Sequence, residues 1–172
     1  MYILGIKAKI AYLNMAAWIR RGPKCPVSVM PHTDEIPAVD AQGNYCNHTS
    51  RSYAHEHGVL HPTVHLVLLN PKGKILVQRR GLNMEDSPGK LSQSVGGHIV
   101  FGETPELTLE RKFSEELGIA CAEVSPVTTY FHDSRKDKNQ ELVYLYRGYH
   151  SGPINPNYSR LEWAAFFWIK EH

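Results

Sequence analysis

Cysteine is scarce in this 172-residue chain: Cys25, Cys46 and Cys121 stand far apart, are odd in number and form no CxxC pair. That spacing excludes a disulfide framework and a cysteine-based structural zinc site, and it makes a reducing cytoplasm the expected location. Charge of one sign is also lacking, since 19 Lys and Arg against 17 Asp and Glu leave a net charge of +2. Basic runs do not go beyond short pairs such as Arg20-Arg21, so no nucleic-acid partner is expected. Long apolar runs are missing too. The N-terminal MYILGIKAKIAYLNMAAWIRR is interrupted by Lys7 and Lys9 and carries its main positive charge after the apolar stretch. It therefore reads neither as a signal peptide nor as a bilayer span, and no membrane partner is expected. Internal repeats and low-complexity tracts are absent.

What remains is the composition of a soluble globular domain, 42% hydrophobic and 21% charged, at a length that fits one domain. Residues 1–29 read as an N-terminal extension without assigned function, poorly ordered or weakly amphipathic. Residues 30–172 read as the domain itself. Within it, EIPAVDAQGNYCNHTSRSYAHEHG predicts a short strand, a turn at Ala41-Gln42-Gly43-Asn44, then a short helix that Gly58 ends. TVHLVLLN and ILVQRR, joined by Pro71-Lys72-Gly73-Lys74, predict a hairpin. GLNMEDSPGKLSQS is expected to be a long loop, SVGGHIV a short strand, and VSPVTTYF, ELVYLYRGYH and AAFFWI the later strands. Strands interleaved with helices around a mixed sheet predict an α/β fold.

The second helix carries the chemistry. Thr104 is placed to cap it, Pro105 suits its first position and Gly118 its C′ position. Leu109, Phe113 and Leu117 recur every four residues and define the buried stripe. Glu115 and Glu116 then project from its flank. Adjacent carboxylates repel, and a hard divalent cation with oxygen ligands relieves that cost; Mg²⁺, which shares its shell with phosphate oxygens, suits the pair. The plainer alternative is a solvated acidic face with ordinary ion pairs. Lys112 lies three and four residues before the two glutamates, an ammonium group among carboxylates.

From Gly97 to Ile119 the sequence resembles the Nudix box, G-x5-E-x7-R-E-U-x-E-E-x-G-U with U a bulky aliphatic residue. Gly97, Glu103, Arg111, Glu115, Glu116, Gly118 and Ile119 fall on their positions, Phe113 takes a U position and Lys112 replaces a glutamate. The resemblance runs over roughly residues 35–170 and is closest to the branch that looks like type I isopentenyl-diphosphate isomerase. It implies a Nudix-type α/β/α sandwich around a mixed sheet and Mg²⁺- or Mn²⁺-dependent hydrolysis of a nucleoside diphosphate derivative. By the same resemblance Glu115, Glu116 and the Gly96 carbonyl would hold the metal. Glu103 would pair with Arg111 to support those ligands. Arg79 or Arg80 would grip the diphosphate. Homodimers are frequent in the family, and the aromatic C-terminal EWAAFFWIKEH, with Trp163, Phe166, Phe167 and Trp168, is a candidate interface.

Lys112 departs from that pattern. An ammonium has no lone pair for a metal, and two flanking carboxylates oppose the proton loss that would make it a base. The general base would then come from elsewhere, with Glu141 and His132 as candidates. The histidines point to the isomerase branch: His55 or His57, His61, His98 and Glu141 fall near its metal positions, where imidazoles suit zinc or a transition metal. Spacing alone would place His57, His61 and His65 on one helix, but Gly58 and Pro62 break it. Gly96 stands where the isomerase needs a cysteine. The leading expectation is therefore a diphosphate-cleaving hydrolase. A nucleotide- or pyrophosphate-binding module with impaired turnover comes second, and an isomerase third.

Overall fold

The computed structural model describes residues 34–84, 87–119, 123–134 and 138–167. The N-terminal extension and Trp168 lie outside them, and of Phe166 and Phe167 only the strand placement is described. The elements are β1 (Glu35–Val39), β2 (Tyr45–Ser50), α1 (Arg51–His57), β3 (His61–Leu69), β4 (Ile75–Arg80), β5 (Leu91–Ser92) and β6 (Val95–His98). They continue with α2 (Pro105–Lys112), a π-helical turn (Phe113–Leu117), β7 (Glu123–Ser134), β8 (Asn139–Tyr149) and β9 (Leu161–Phe167). β1 and β2 pair antiparallel on their own, and a larger, mixed sheet has the order β5-β4-β3-β8-β7, with β6 on β3 and β9 on β4. The α/β class read from the sequence is the class observed.

The chain divides into two compact units. Among the described residues, the first takes 34–63 with those of His98–Thr108 and Thr128–Tyr144. In it, Asp40 Oδ1 accepts from the backbone N–H groups of Gln42 and Asn44 and closes the β1–β2 turn. Ser50 Oγ accepts from Tyr53 N at 3.2 Å and caps α1, and Gly58 ends that helix at φ 65°, a conformation open to glycine at no steric cost. Ile36, Ala54, Ile99 and Val143 are buried in this unit.

The second unit takes Val64–Gly97, Leu109–Val127 and Leu145 onward. Asn70 Oδ1 accepts from the N–H groups of Lys72 and Lys74, which sets the tight turn between β3 and β4. Alternation on β3 buries Val64, Leu66 and Leu68, and on β4 it buries Leu76 and Gln78. The expected helical stripe is also observed, with Leu109, Phe113 and Leu117 at most 1% exposed. Each such side chain stabilises the fold by about 1.5–3 kcal/mol relative to leaving it in water.

Four features depart from the sequence reading. Tyr45–Ser50, read as part of the stretch leading into a helix, is strand β2 paired with β1, and the helix begins only at Arg51. The second helix was expected to run regularly to Gly118, but its last turn is a π turn. The carbonyls of Glu115, Glu116 and Leu117 accept from Asn157 Nδ2, Asn157 N and Asn155 N at 3.1, 2.9 and 2.8 Å. External donors thus take over carbonyls at the helix end. The long loop contains β5, paired with Gln78 and Arg79 of β4; Leu91 is 66% exposed, so no hydrophobic pattern marks it. β9 begins at Leu161, and a register shift lies between Arg79 and Arg80 where it pairs with β4.

Replacing Phe113 by Ala should cost about 3–5 kcal/mol of unfolding free energy, as for other buried aromatics. Leu107→Ala, at a site 51% exposed, should stay within about 0.5 kcal/mol. Urea titration of both variants checks the register of the stripe.

Candidate functional site

Glu115 and Glu116 leave the π turn with very different surroundings. Glu115 accepts from Arg111 Nη1 at 3.2 Å and from Lys112 Nζ at 3.0 Å, and its side chain is 33% exposed. Glu116 is buried; Gln78 Nε2 donates to its Oε2 at 3.2 Å, and Lys112 Nζ lies 3.6 Å from its Oε1. The Lys112 side chain is only 12% exposed. A Cβ added at Gly97 would meet Lys112 Cε at 2.5 Å, so the missing side chain at Gly97 is what admits the lysine stem. For Glu115, burial alone would raise its pKa, but the adjacent Lys112 and Arg111 outweigh it and hold the carboxyl below the usual range. For Glu116, burial wins over Lys112, Gln78 and Arg160, and its carboxyl is pushed up.

Glu116 lines a small polar cavity with Gln78, Arg80, Gln93, Gly96 and Arg160. Two of the expected metal-holding residues, Glu116 and Gly96, and one of the two expected diphosphate arginines, Arg80, therefore meet at one place. Arg79 points its guanidinium elsewhere, to Glu162 Oε2 at 2.9 Å and the Gly89 carbonyl at 2.8 Å. Glu103 accepts from Thr108 Oγ1 at 2.8 Å. Sequence reasoning missed Gln78 and Arg160. The first was marked by its place two residues after inward-facing Leu76; the second had no local signal. Gln78 Oε1 is a buried acceptor with no hydrogen-bond partner among the described residues.

As oxygen donors, Glu115, Glu116, the Gly96 carbonyl and the orphaned Gln78 Oε1 match what Mg²⁺ selects. The ammonium of Lys112 already contacts both carboxylates, so an ion entering there must share them.

The first unit holds a second constellation. His55 of α1, His61 at the start of β3 and His98 at the end of β6 place their ligand nitrogens within 4.8 Å of one another. His55 Nε2 lies 2.8 Å from His98 Nε2, and the His61 and His98 rings stack at 5.0 Å. His61 Nδ1 is 2.7 Å from the Val59 carbonyl, so that nitrogen carries the hydrogen and Nε2 presents its lone pair. That lone pair is buried and has no partner among the described residues. Asn139 Oδ1 is orphaned in the same way, while Asn139 Nδ2 donates to Glu141 Oε1 at 3.0 Å. Three imidazoles and an orphaned lone pair fit a zinc-like or transition-metal ion. His57 is elsewhere, stacked on Tyr53 at 3.9 Å, and His132 is exposed on β7.

Residues 59–172 match the model of the family described as the NUDIX domain. The isopentenyl-diphosphate Delta-isomerase of Burkholderia multivorans is 31% identical over 119 residues, 67% of this chain and 66% of that protein. An uncharacterized Nudix hydrolase of Yersinia pestis is 36% identical over 85 residues, 49% of this chain and 47% of its own length. The chain thus spans about half to two thirds of these relatives. The crystal structure of a Deinococcus radiodurans protein superposes with a TM-score of 0.65 at 19% identity, covering 77% of this chain and 82% of that one, a likeness of fold.

Burial holds the His61 pKa below its ordinary 6.5, against the opposing pull of the Val59 carbonyl and Glu141 and with the help of His55 and Arg51. Between the folded and unfolded values the unfolded chain carries a proton that the folded chain does not. Stability should therefore fall as pH drops through about 6.5 and level off below the folded value. Melting temperatures in chelator between about pH 5 and pH 8 should show this acid loss in the wild type and less of it in His61→Gln. Equal slopes would assign the loss to other groups.

Proposed function

Because the chain belongs to the NUDIX domain family, we propose that it is a Nudix-type pyrophosphohydrolase that cleaves a diphosphate linkage in a small molecule. Nucleoside diphosphate derivatives are the first class to test, with Mg²⁺ or Mn²⁺ as the cofactor. The observation that carries this reading is the cavity where Glu116 and Gly96 meet Arg80 and Arg160. Oxygen donors for a hard cation stand there beside guanidinium groups for phosphate oxygens.

Glu115, Glu116 and the Gly96 carbonyl would hold the ion, and Gln78 Oε1 offers a further oxygen. When bound, a divalent ion supplies Lewis acidity toward phosphoryl oxygens. Arg80, with its planar fork, orients the diphosphate and offsets its charge. Arg111, 3.2 Å from Glu115, would steady that carboxylate for the ion. Lys112 and Arg111 hold Glu115 ionised at neutral pH, leaving it an acceptor that can orient a water.

Phosphate release from a panel of nucleoside diphosphate derivatives, with Mg²⁺ or Mn²⁺, tests the reading. Glu116→Gln should lower turnover by more than about 100-fold, beyond the cost of losing a residue that only supports a metal ligand. The melting temperature should hold, because Gln keeps the volume. Unchanged turnover would remove Glu116 from the mechanism. Ligand-induced stabilisation without turnover would leave a binding module.

A second reading is favoured by the histidine centre: double-bond isomerisation of isopentenyl diphosphate, the activity in the name of the Burkholderia multivorans relative, here with a metal at the histidines. Proton transfer at carbon needs an acid and a base on opposite faces. Gly96 supplies no thiol, and the amide of Gln93 fills the space that a Cβ there would take. Proton NMR of isopentenyl diphosphate in D₂O separates the two readings, because only isomerisation exchanges its carbon-bound hydrogens. Zn²⁺ should raise the melting temperature of the wild type and not of His61→Ala; a rise in both would place zinc elsewhere.

A further inference from the structure

The Nudix-box region is charge-balanced before any metal enters. Glu115 and Glu116 carry two negative charges when both are ionised, and Lys112 and Arg111 carry two positive ones. Lys112 Nζ is 3.0 Å from one carboxylate and 3.6 Å from the other. Its stem is packed against Gly97, which has no room for a Cβ, so this is a built position and not a passing surface contact. Arg80 and Arg160 also line the cavity beside Glu116. A free divalent ion would therefore meet two carboxylates that already face two cations. Yet Gln78, which lines that same cavity, carries a buried acceptor, Oε1, with no donor among the described residues. It is 4% exposed as a residue, so water does not readily satisfy it.

We propose that Lys112 is the resident cation of these carboxylates, and that they accept Mg²⁺ together with a diphosphate group rather than as a free ion. The inference rests on the diphosphate reading above and deepens it. A diphosphate brings two negative charges near neutral pH when both ends are substituted, and roughly three when one end is free, by analogy with the second ionisation of phosphate esters. That offsets the charge of the incoming ion and gives Arg80, Arg160 and Lys112 an anion to face. Glu115 and Glu116 can then turn an oxygen to the ion without leaving the ammonium unpaired. Gln78 Oε1 gains a cation to accept. Metal loading would thus be coupled to substrate loading, a reciprocal linkage between two ligands of one site.

The test is a calorimetric titration with Mg²⁺ alone and with Mg²⁺ in the presence of methylene diphosphonate, a diphosphate whose bridge does not hydrolyse. Mg²⁺ is a poor match for three imidazoles, so the histidine centre contributes little. Wild type should bind Mg²⁺ at least about tenfold more tightly when methylene diphosphonate is present, as expected when supporting charges near a metal ligand change. Lys112→Gln should bind Mg²⁺ alone at least about tenfold more tightly than wild type. Adding Glu116→Gln should abolish that gain. The wild-type pair of titrations stands even where a variant does not fold, and Lys112→Met, which keeps the stem over Gly97, is the second variant. Equal Mg²⁺ affinity in wild type and both variants, or no tightening by methylene diphosphonate, would overturn the proposal. Because the readout is binding, it fails separately from the hydrolase reading. Coupled loading without turnover on the panel sinks only the hydrolase reading, and Glu116-dependent turnover with uncoupled Mg²⁺ binding sinks only the resident cation.

Discussion

A carboxylate withdrawn from water must have both oxygens satisfied, and the surroundings of Glu116 are arranged by that requirement. Gln78 donates to one oxygen, and Lys112 stands near the other. Each of these demands something further. Gln78 must face inward from β4, which places a polar side chain at a position where strand alternation would otherwise bury an aliphatic one. Lys112 must lie against β6, which is possible because residue 97 has no side chain. The cost of burial is still visible in the raised pKa of Glu116. Glu115, less buried and flanked by two cations, is shifted the opposite way. Two adjacent glutamates thereby acquire different protonation behaviour from their environment alone.

Backbone geometry holds these side chains where they are. A π turn changes which carbonyls find partners within the helix, and here the segment Asn155–Asn157 supplies donors to three of them. Asn157 also accepts from Ser159 N and Oγ through its Oδ1, so the clamp is itself braced. A few residues later the same segment contributes Arg160 to the cavity. The end of the acidic helix and one cationic wall of the cavity are therefore tied to one short stretch of chain.

The histidine centre follows a different logic. Around Glu116 every charged oxygen has a nearby donor or cation, whereas His61 keeps an uncompensated lone pair in a buried place. Its Nδ1 is engaged by the Val59 carbonyl, which settles the tautomer and aims Nε2 at His55 and His98. Orphaned acceptors of this kind are costly in a folded chain unless a cation or donor meets them.

The box spacing, the caps at Gly58 and Gly118, the buried stripe of α2 and the intrusion of Lys112 among the glutamates were all legible in the sequence. They depend on residues a few positions apart, where helix period and turn chemistry dictate geometry. Gln78 and Arg160 were not legible as partners of Glu116, because strand pairing and a distant loop bring them there. The histidine set was half legible. Helical spacing suggested His57, His61 and His65, which the breakers Gly58 and Pro62 correctly ruled out, and family resemblance pointed to His55 or His57, with His61, His98 and Glu141; the structure brings together His55, His61 and His98. Their convergence comes from a helix, the start of one strand and the end of another, a meeting no local periodicity encodes. Sequence by itself marked Glu115, Glu116, Gly96, Arg80 and the histidines as candidates for a cation or a phosphate, and left out Gln78 and Arg160. Only the tertiary structure decided which of them meet, because burial and orphaned lone pairs are properties of packing and not of spacing.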